Sequence, residues 1–291
     1  MTAKNTMNDT VINEKEIKAM VSLLDDDDVE VVSIIEEKIA TLGEQVIPFL
    51  EEEWLRQFNP LVQKRIEQLL HSINYNSVRE RLAYWVKYEE KDLLKGMWIV
   101  ATYQYPDLSL EDLRKQIDQL YYDTWAEFKV DLMPLDQIKL LNNIFFNKFR
   151  FKANTANIKA VSNSMLNNIL EGKKSNPIGL CIVYMLIAQK LKLPVYGVNL
   201  PNIFILTYKT EKLQFYINVF NKGLTFVKND IDNYILQLGI TSRPMFYEPC
   251  SNLDIIKRVL RNLIVAYEDI GEKIKAEEVQ NLLTWLPEDK F

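Results

Sequence analysis

From Pro177 to Leu191 the chain is apolar on nearly every face, a pattern that predicts a helix buried all round, about 20 Å long. Pro177 suits the first turn, where its missing N–H removes no bond. Gln189, Lys190 and Lys192 mark the wet end, and Leu193-Pro194 stops the helix. Leu186 and Ile187 are expected to lie in the core. Val195–Asn199, Ile203–Tyr208 and Leu213–Val219 follow, rich in Val, Ile, Phe, Tyr and Leu, and predict three strands joined by turns at 200–202 and 209–212. One helix on a short antiparallel sheet is an α+β unit.

Elsewhere the spacing of apolar positions is helical. Residues 1–13 are polar and predict a disordered leader. Ile17, Met20, Val21 and Leu24 place a helix over Glu14–Leu24, Asp25–Asp28 a turn and N-cap, and further helices follow from Val29 to Gly43 and from Gln45 to Phe58. A second pair is expected at Pro60–Ile73 and Val78–Glu89. Paired helices resemble HEAT repeats, each pair burying its face on the next, so 14–90 reads as a HEAT-like helical region.

Helices are also predicted at Asp92–Thr102, Leu110–Phe128, Pro134–Phe146 and Asn163–Leu170, with a polar loop at Phe149–Asn157. Beyond the strands come a turn at Asn221-Lys222-Gly223 and a helix at Asp230–Leu238. A helical hairpin, Asn252–Glu268 and Glu272–Trp285, opens on a capping box at Ser251 and Asp254. The resulting division is 1–13, 14–90, a core with its preceding helices over 91–250, and the hairpin at 251–291. The fold class is α+β, mostly α.

Composition narrows the function. A net charge of −5 gives no electrostatic case for nucleic acid, which a binding face shows as clustered Lys and Arg. No apolar stretch is long enough to span a membrane, and the N-terminus has no signal-peptide core. A cytoplasmic protein is expected. Cys181 and Cys250 have no CxxC spacing, so reduced thiols are the default. His71 is the single histidine and has no His/Cys cluster around it in sequence, which argues for a structural role and no metal. Asp25–Asp28 lacks the alternating ligands, central Gly and terminal Glu of a calcium loop. No Gly-rich phosphate loop occurs, and no cofactor is implied.

The runs SNPIGL, LKLPVYGVNLPNIF and FYINVFNKG resemble the transglutaminase-like core of the bacterial SirB family. That family shows Gly-Asn-Pro-(Ile)-Ser-Leu at the helix start, Leu-Gly-Leu-Pro-Val at its end, a Pro-Gly-His-Phe turn and an Ile-Asp-Pro-Phe strand. The resemblance covers roughly residues 100 to 285 and implies a nucleophilic Cys at the helix start with a His and an Asp on adjacent strands. In this chain the family His falls at Ile203, the Asp at Asn218 and the residue before Asn-Pro at Ser175, while Pro177 stands near the nucleophile position.

Cys181 is the one candidate nucleophile nearby, four residues into an apolar helix. A buried Cys behaves as a small hydrophobe whose thiol resists ionisation. Activation needs a base within hydrogen-bond reach, and neither Ile203 nor Asn218 supplies one. Cys250 has no assigned chemistry.

The resemblance gathers Ser175, Asn176, Tyr184, Asn199, Asn202, Tyr216, Asn218 and Asn221 around the cleft. They form either a neutral binding pocket for a peptide or amide, or a set of turn-capping residues. The expected function is a pseudoenzyme that binds or scaffolds an unidentified protein or peptide. The alternatives are a transamidase or peptidase of unorthodox layout using Cys181, and a structural assembly factor whose working surface is the helical array.

Overall fold

The computed structural model describes residues 14–287; the expected leader lies outside them. The chain divides into two compact units at Arg81/Leu82, where the sequence reading placed a boundary at residue 90.

The first unit holds α1 (Glu14–Ser22), α2 (Val29–Thr41), α3 (Ile47–Arg56) and most of α4 (Pro60–Tyr84). Asp28 begins α2 as read from the sequence, its carboxylate accepting from Glu30 N–H at 2.9 Å. Ile17, Leu24, Ile39, Leu50 and Ile66 meet in one core.

The expected second helix pair is not formed. Pro60–Tyr84 is one continuous helix of 25 residues. The segment Asn74-Tyr75-Asn76-Ser77 contains neither Gly nor Pro to break it. Asn74 and Ser77 are buried, and the Ser77 hydroxyl donates to Glu44 at 2.6 Å. Weak helix propensity is overridden there by packing.

The second unit carries α5 (Leu93–Thr102), α6 (Leu110–Trp125) and α7 (Pro134–Asn143), the last extended by a wide π-type turn over Ile144–Lys148. The predicted loop after α7 contains β1 (Lys152–Ala153). It pairs in parallel with β2 (Lys174–Ser175), which follows α8 (Leu166–Gly172). The helix expected at Asn163–Leu170 is interrupted: Val161–Ser164 is a 3-10 turn, and Met165 is extended before α8 starts.

The central helix, α9 (Pro177–Lys190), stands where the apolar run predicts it, with Asn176 accepting from Gly179 N–H at 3.0 Å as its N-cap. Leu180, Cys181, Ile182, Val183, Tyr184 and Ile187 are fully buried. Leu186, expected in the core, is only partly buried. We therefore expect Ile187→Ala to cost about 2–5 kcal/mol in urea unfolding, and Leu186→Ala clearly less. Equal losses would show that α9 is buried differently.

The sheet is an antiparallel meander of β3 (Val195–Asn199), β4 (Phe204–Lys209), β5 (Gln214–Asn218) and β6 (Leu224–Phe226). Val195, Gly197 and Asn199 share one face with Tyr208, Leu206 and Phe204 through the register, and α9 packs on β3 and β4. Val198, Ile205 and Tyr216 cluster instead with Ile231 and Ile235 of α10 (Lys228–Gln237) and with Phe246 and Tyr247. The unit is completed by α11 (Asn252–Asp269) and α12 (Lys273–Trp285), packed as the predicted hairpin.

Candidate functional site

The start of α9 borders a cavity of about 200 Å³. Asn176, Pro177 and Ile178 form one wall, Asn202 and Phe204 a second, and Arg258, Asn262 and Val265 of α11 a third. The short loop Ile158-Lys159-Ala160 closes the fourth side.

Each wall is held by local bonds. Asn163 is buried, and its amide nitrogen donates to the carbonyls of Asn157 and Ile158, each at 2.9 Å. Its own amide oxygen accepts from Asn154 at 3.0 Å. The Ser175 hydroxyl donates to Asn163 O at 2.9 Å, so Ser175 stands behind the cavity rather than in it. Asn202 occupies the turn before β4 with φ +62°, a left-handed conformation that Asn tolerates. The capping box of Ser251 and Asp254 begins α11, and Cys250 N–H donates to Gly197 O at 2.8 Å, pinning the helix start to β3. Arg258, Asn262 and Val265 then fall at i, i+4 and i+7, one stripe along the helix.

Arg258 donates to Asn199 Oδ1 at 3.2 Å. Burial, and then the neighbouring Arg261, press its pKa below the ordinary arginine value, with Tyr234 opposing. The other cation of the cavity, Lys159, is paired with Asp269 at 3.0 Å. Among the described residues, no Asp, Glu or His lines the cavity.

The positions implied for catalysis are not assembled. Ile203 packs into the apolar cluster of Val198, Leu200, Ile205, Tyr216 and Ile231. Asn218 caps the 3-10 turn Val219–Asn221, accepting from Asn221 N–H at 3.0 Å. Cys181 is fully buried, its Sγ 3.7 Å from the carbonyl oxygen of Phe204. Burial raises its pKa far above the usual thiol value, opposed by an interaction with the Val219 backbone. The Cys250 thiol is likewise pushed up to about 12, by burial and then by Asp254. His71 lies in α4, in the first unit. Among the described residues no cluster of three His, Cys, Asp or Glu side chains could hold a metal ion, and no helix is long and apolar enough to cross a membrane.

Of the residues expected around a cleft, Asn176 and Asn202 line the cavity and Asn199 reaches it through Arg258. Tyr184 does not line it. Its hydroxyl donates to Asn142 Oδ1 at 2.9 Å, and Asn142 in turn donates to Gly223 O, clamping the turn after β5. Tyr216 borders a separate depression and donates to Tyr247 O at 3.1 Å. The Asn221 side chain is exposed. Arg258, Asn262 and Lys159 were missed. The only available signal was the polar stripe on α11, and nothing local in sequence connects it with α9.

The profile of the transglutaminase-like superfamily matches residues 111–261, more than half of the chain. Among curated proteins, a UPF0162 protein of Xylella fastidiosa (strain 9a5c) is 26% identical over 210 residues, covering 69% of this chain and 72% of its own. UPF0162 protein YchA of Escherichia coli (strain K12) is 23% identical over 211 residues, covering 70% and 78%. UPF0162 protein PM0557 of Pasteurella multocida (strain Pm70) is 31% identical over 106 residues, covering 36% and 40%. No solved structure matches at a comparable level of significance.

Proposed function

Starting from a chain that belongs to the transglutaminase-like superfamily, we propose a non-catalytic protein that binds a peptide or protein partner in the cavity at the start of α9. We further propose that it is of the SirB type, carries a HEAT-like helical hairpin at its N-terminus and works in the cytoplasm. The observation that carries the reading is the fate of the two positions where the resemblance implies the base and its orienting group. Ile203 is committed to an apolar cluster and Asn218 to a turn cap, so neither serves a thiol. Acyl transfer through a thioester requires a nucleophile, a base within hydrogen-bond reach and a group orienting that base. Cys181 has a backbone carbonyl beside its sulfur instead. The cavity keeps donors suited to holding a ligand and lacks a group suited to taking a proton.

The purified protein is expected not to turn over amide or thioester model substrates above background. Turnover that Cys181→Ser abolishes without unfolding the protein would overturn the reading. The variant Ile203→His with Asn218→Asp is also expected to be inactive. Asn218→Asp alone keeps the cap, because a carboxylate accepts the Asn221 N–H as an amide oxygen does. Ile203→His places a polar ring in an apolar cluster and is expected to cost about 1–3 kcal/mol. Thermal melts of the two single variants test this contrast, and a stable Ile203→His protein would show that the position is open to solvent.

A further inference from the structure

The cavity holds a cation without a carboxylate and amide groups without partners. Lys159 is neutralised by Asp269, whereas Arg258 donates its hydrogen bond to a neutral amide, Asn199. Arg258 is partly buried, and Arg261 beside it adds like charge. A guanidinium presents five donors in a planar fork, so most of its capacity is unspent here. Asn176 is 5% exposed and uses its amide oxygen as the N-cap. Among the described residues no hydrogen bond uses its amide nitrogen, nor either end of the Asn202 or Asn262 side chain. Asn176 is buried, Arg258 and Asn262 are half-buried and Asn202 is exposed, so these groups face the cavity where a ligand can reach them, and one guanidinium and three amides converging there offer it donors.

We propose that this cavity binds a carboxylate, carried by a peptide as its free C-terminus or as an acidic side chain; the inference rests on the reading of the cavity as a binding cleft. One uncompensated positive charge matches one negative charge, and a guanidinium fork matches two carboxylate oxygens. The neutral amides supply further donors without adding charge, so a dianionic phosphate would remain half-compensated. Pro177, Phe204, Ile158 and Val265 give the same cavity apolar walls for the aliphatic part of the ligand.

The test is titration of the ¹⁵N-labelled full chain with four probes. N-acetyl-leucinate stands for a chain terminus and N-acetylglutamate α-amide for an acidic side chain. N-acetyl-leucinamide is the neutral isostere, and inorganic phosphate the competing anion. At least one carboxylate is expected to shift the amide signals of Ile178, Asn202 and Asn262, and the tighter of the two identifies the source. Leucinamide is expected to bind at least about tenfold more weakly, and Arg258→Gln to weaken the carboxylate by about tenfold or more. Should Arg258→Gln fail to fold, Asn262→Leu removes an amide and leaves the charge, and is expected to weaken the same probe. Equal binding of leucinamide, tighter binding of phosphate, shifts elsewhere or no shifts would each overturn the proposal. Turnover of leucinamide or of a thioester would instead overturn the non-catalytic reading and leave carboxylate binding standing, so the two failures are distinguishable.

Discussion

Gly179→Ser is expected to destabilise the protein by about 1–3 kcal/mol, the usual cost of overpacking a filled core, and Ser175→Gly in the same chain is expected to return part of that loss. A Cβ at position 179 would stand 2.0 Å from the Ser175 hydroxyl, 2.7 Å from Asn163 O and 2.9 Å from an Ile169 methyl. The first contact disappears when Ser175 becomes Gly; the second, to backbone, does not, so the rescue is incomplete. Ser175→Gly alone is expected to cost about 1 kcal/mol for the hydrogen bond to Asn163 O. The SirB-type pattern this chain resembles has Gly where Ser175 stands and Ser where Gly179 stands. The exchange is understandable as one hydroxyl-sized space filled from either of two positions. Urea unfolding of both singles and the double closes the cycle. Contacting residues couple by about 0.5 kcal/mol or more, and additive losses would show that the two positions do not share that space.

How far the sequence carried the structure depended on whether a segment's environment was local. The run Pro177–Leu191 is apolar on all faces, and only burial on all sides accommodates that, so α9 was legible. β3 matched its predicted limits and β4 and β5 differed by a residue or so, because β-branched and aromatic runs between turns leave few alternatives. β6 was not legible: Leu224–Phe226 is three residues, none fully buried, and is a strand because Gly223 and Asn142 deliver it to β5. At Gly223 the backbone φ is +71° and a Cβ would meet Asn142 at 2.1 Å, so a close approach from a distant helix fixes that turn. The break expected between Ile73 and Val78 failed for a related reason. Asn and Ser weaken a helix in isolation, and a bond to Glu44, in the 3-10 turn between α2 and α3, is absent from any local reading.

The candidate site divides along the same line. The turn-capping interpretation of the asparagines fits Asn218, whose side chain accepts from Asn221 N–H, whereas Asn202 has the left-handed backbone of a turn residue and no side-chain cap. Tyr184 is expected near the cleft through the family resemblance alone. It lies two turns along the helix, in a closed core beside Phe145. Arg258 changes the chemistry of the cavity most, and it sits in an amphipathic helix, α11, whose sequence gives no local link to α9. Its arrival at the start of α9 depends on Cys250 bonding to Gly197 and on how α11 packs, and both are tertiary facts.

In a Cys250→Ala background, Cys181 is expected to react with iodoacetamide on the order of a thousandfold more slowly in the native protein than in denaturant. The thiolate is the reacting species, and burial opposes its formation. Native labelling then waits for an opening that exposes the middle of α9, where every residue from Ile178 to Met185 is buried. The same shift has an alkaline signature. Below about pH 8.5 the thiol is neutral in both folded and unfolded chains, and its full contribution to stability is present. Above that the unfolded chain releases the proton while the folded chain retains it, so stability falls as pH rises towards the raised native value. The slope from this one group approaches about 1.4 kcal/mol per pH unit. Tyr184, held well above its ordinary value by burial, adds a like slope only beyond about pH 10. Between about pH 8.5 and 10 the thiol therefore dominates this pair. Cys181→Ala is expected to lower stability throughout, through the lost packing, and to flatten that slope. Labelling that is fast at neutral pH, with a rate titrating below pH 8, would mean the sulfur is neither buried nor neutral, and would restore Cys181 as a nucleophile. A slow rate with an unchanged alkaline slope would mean that access alone, and no shift in ionisation, protects it.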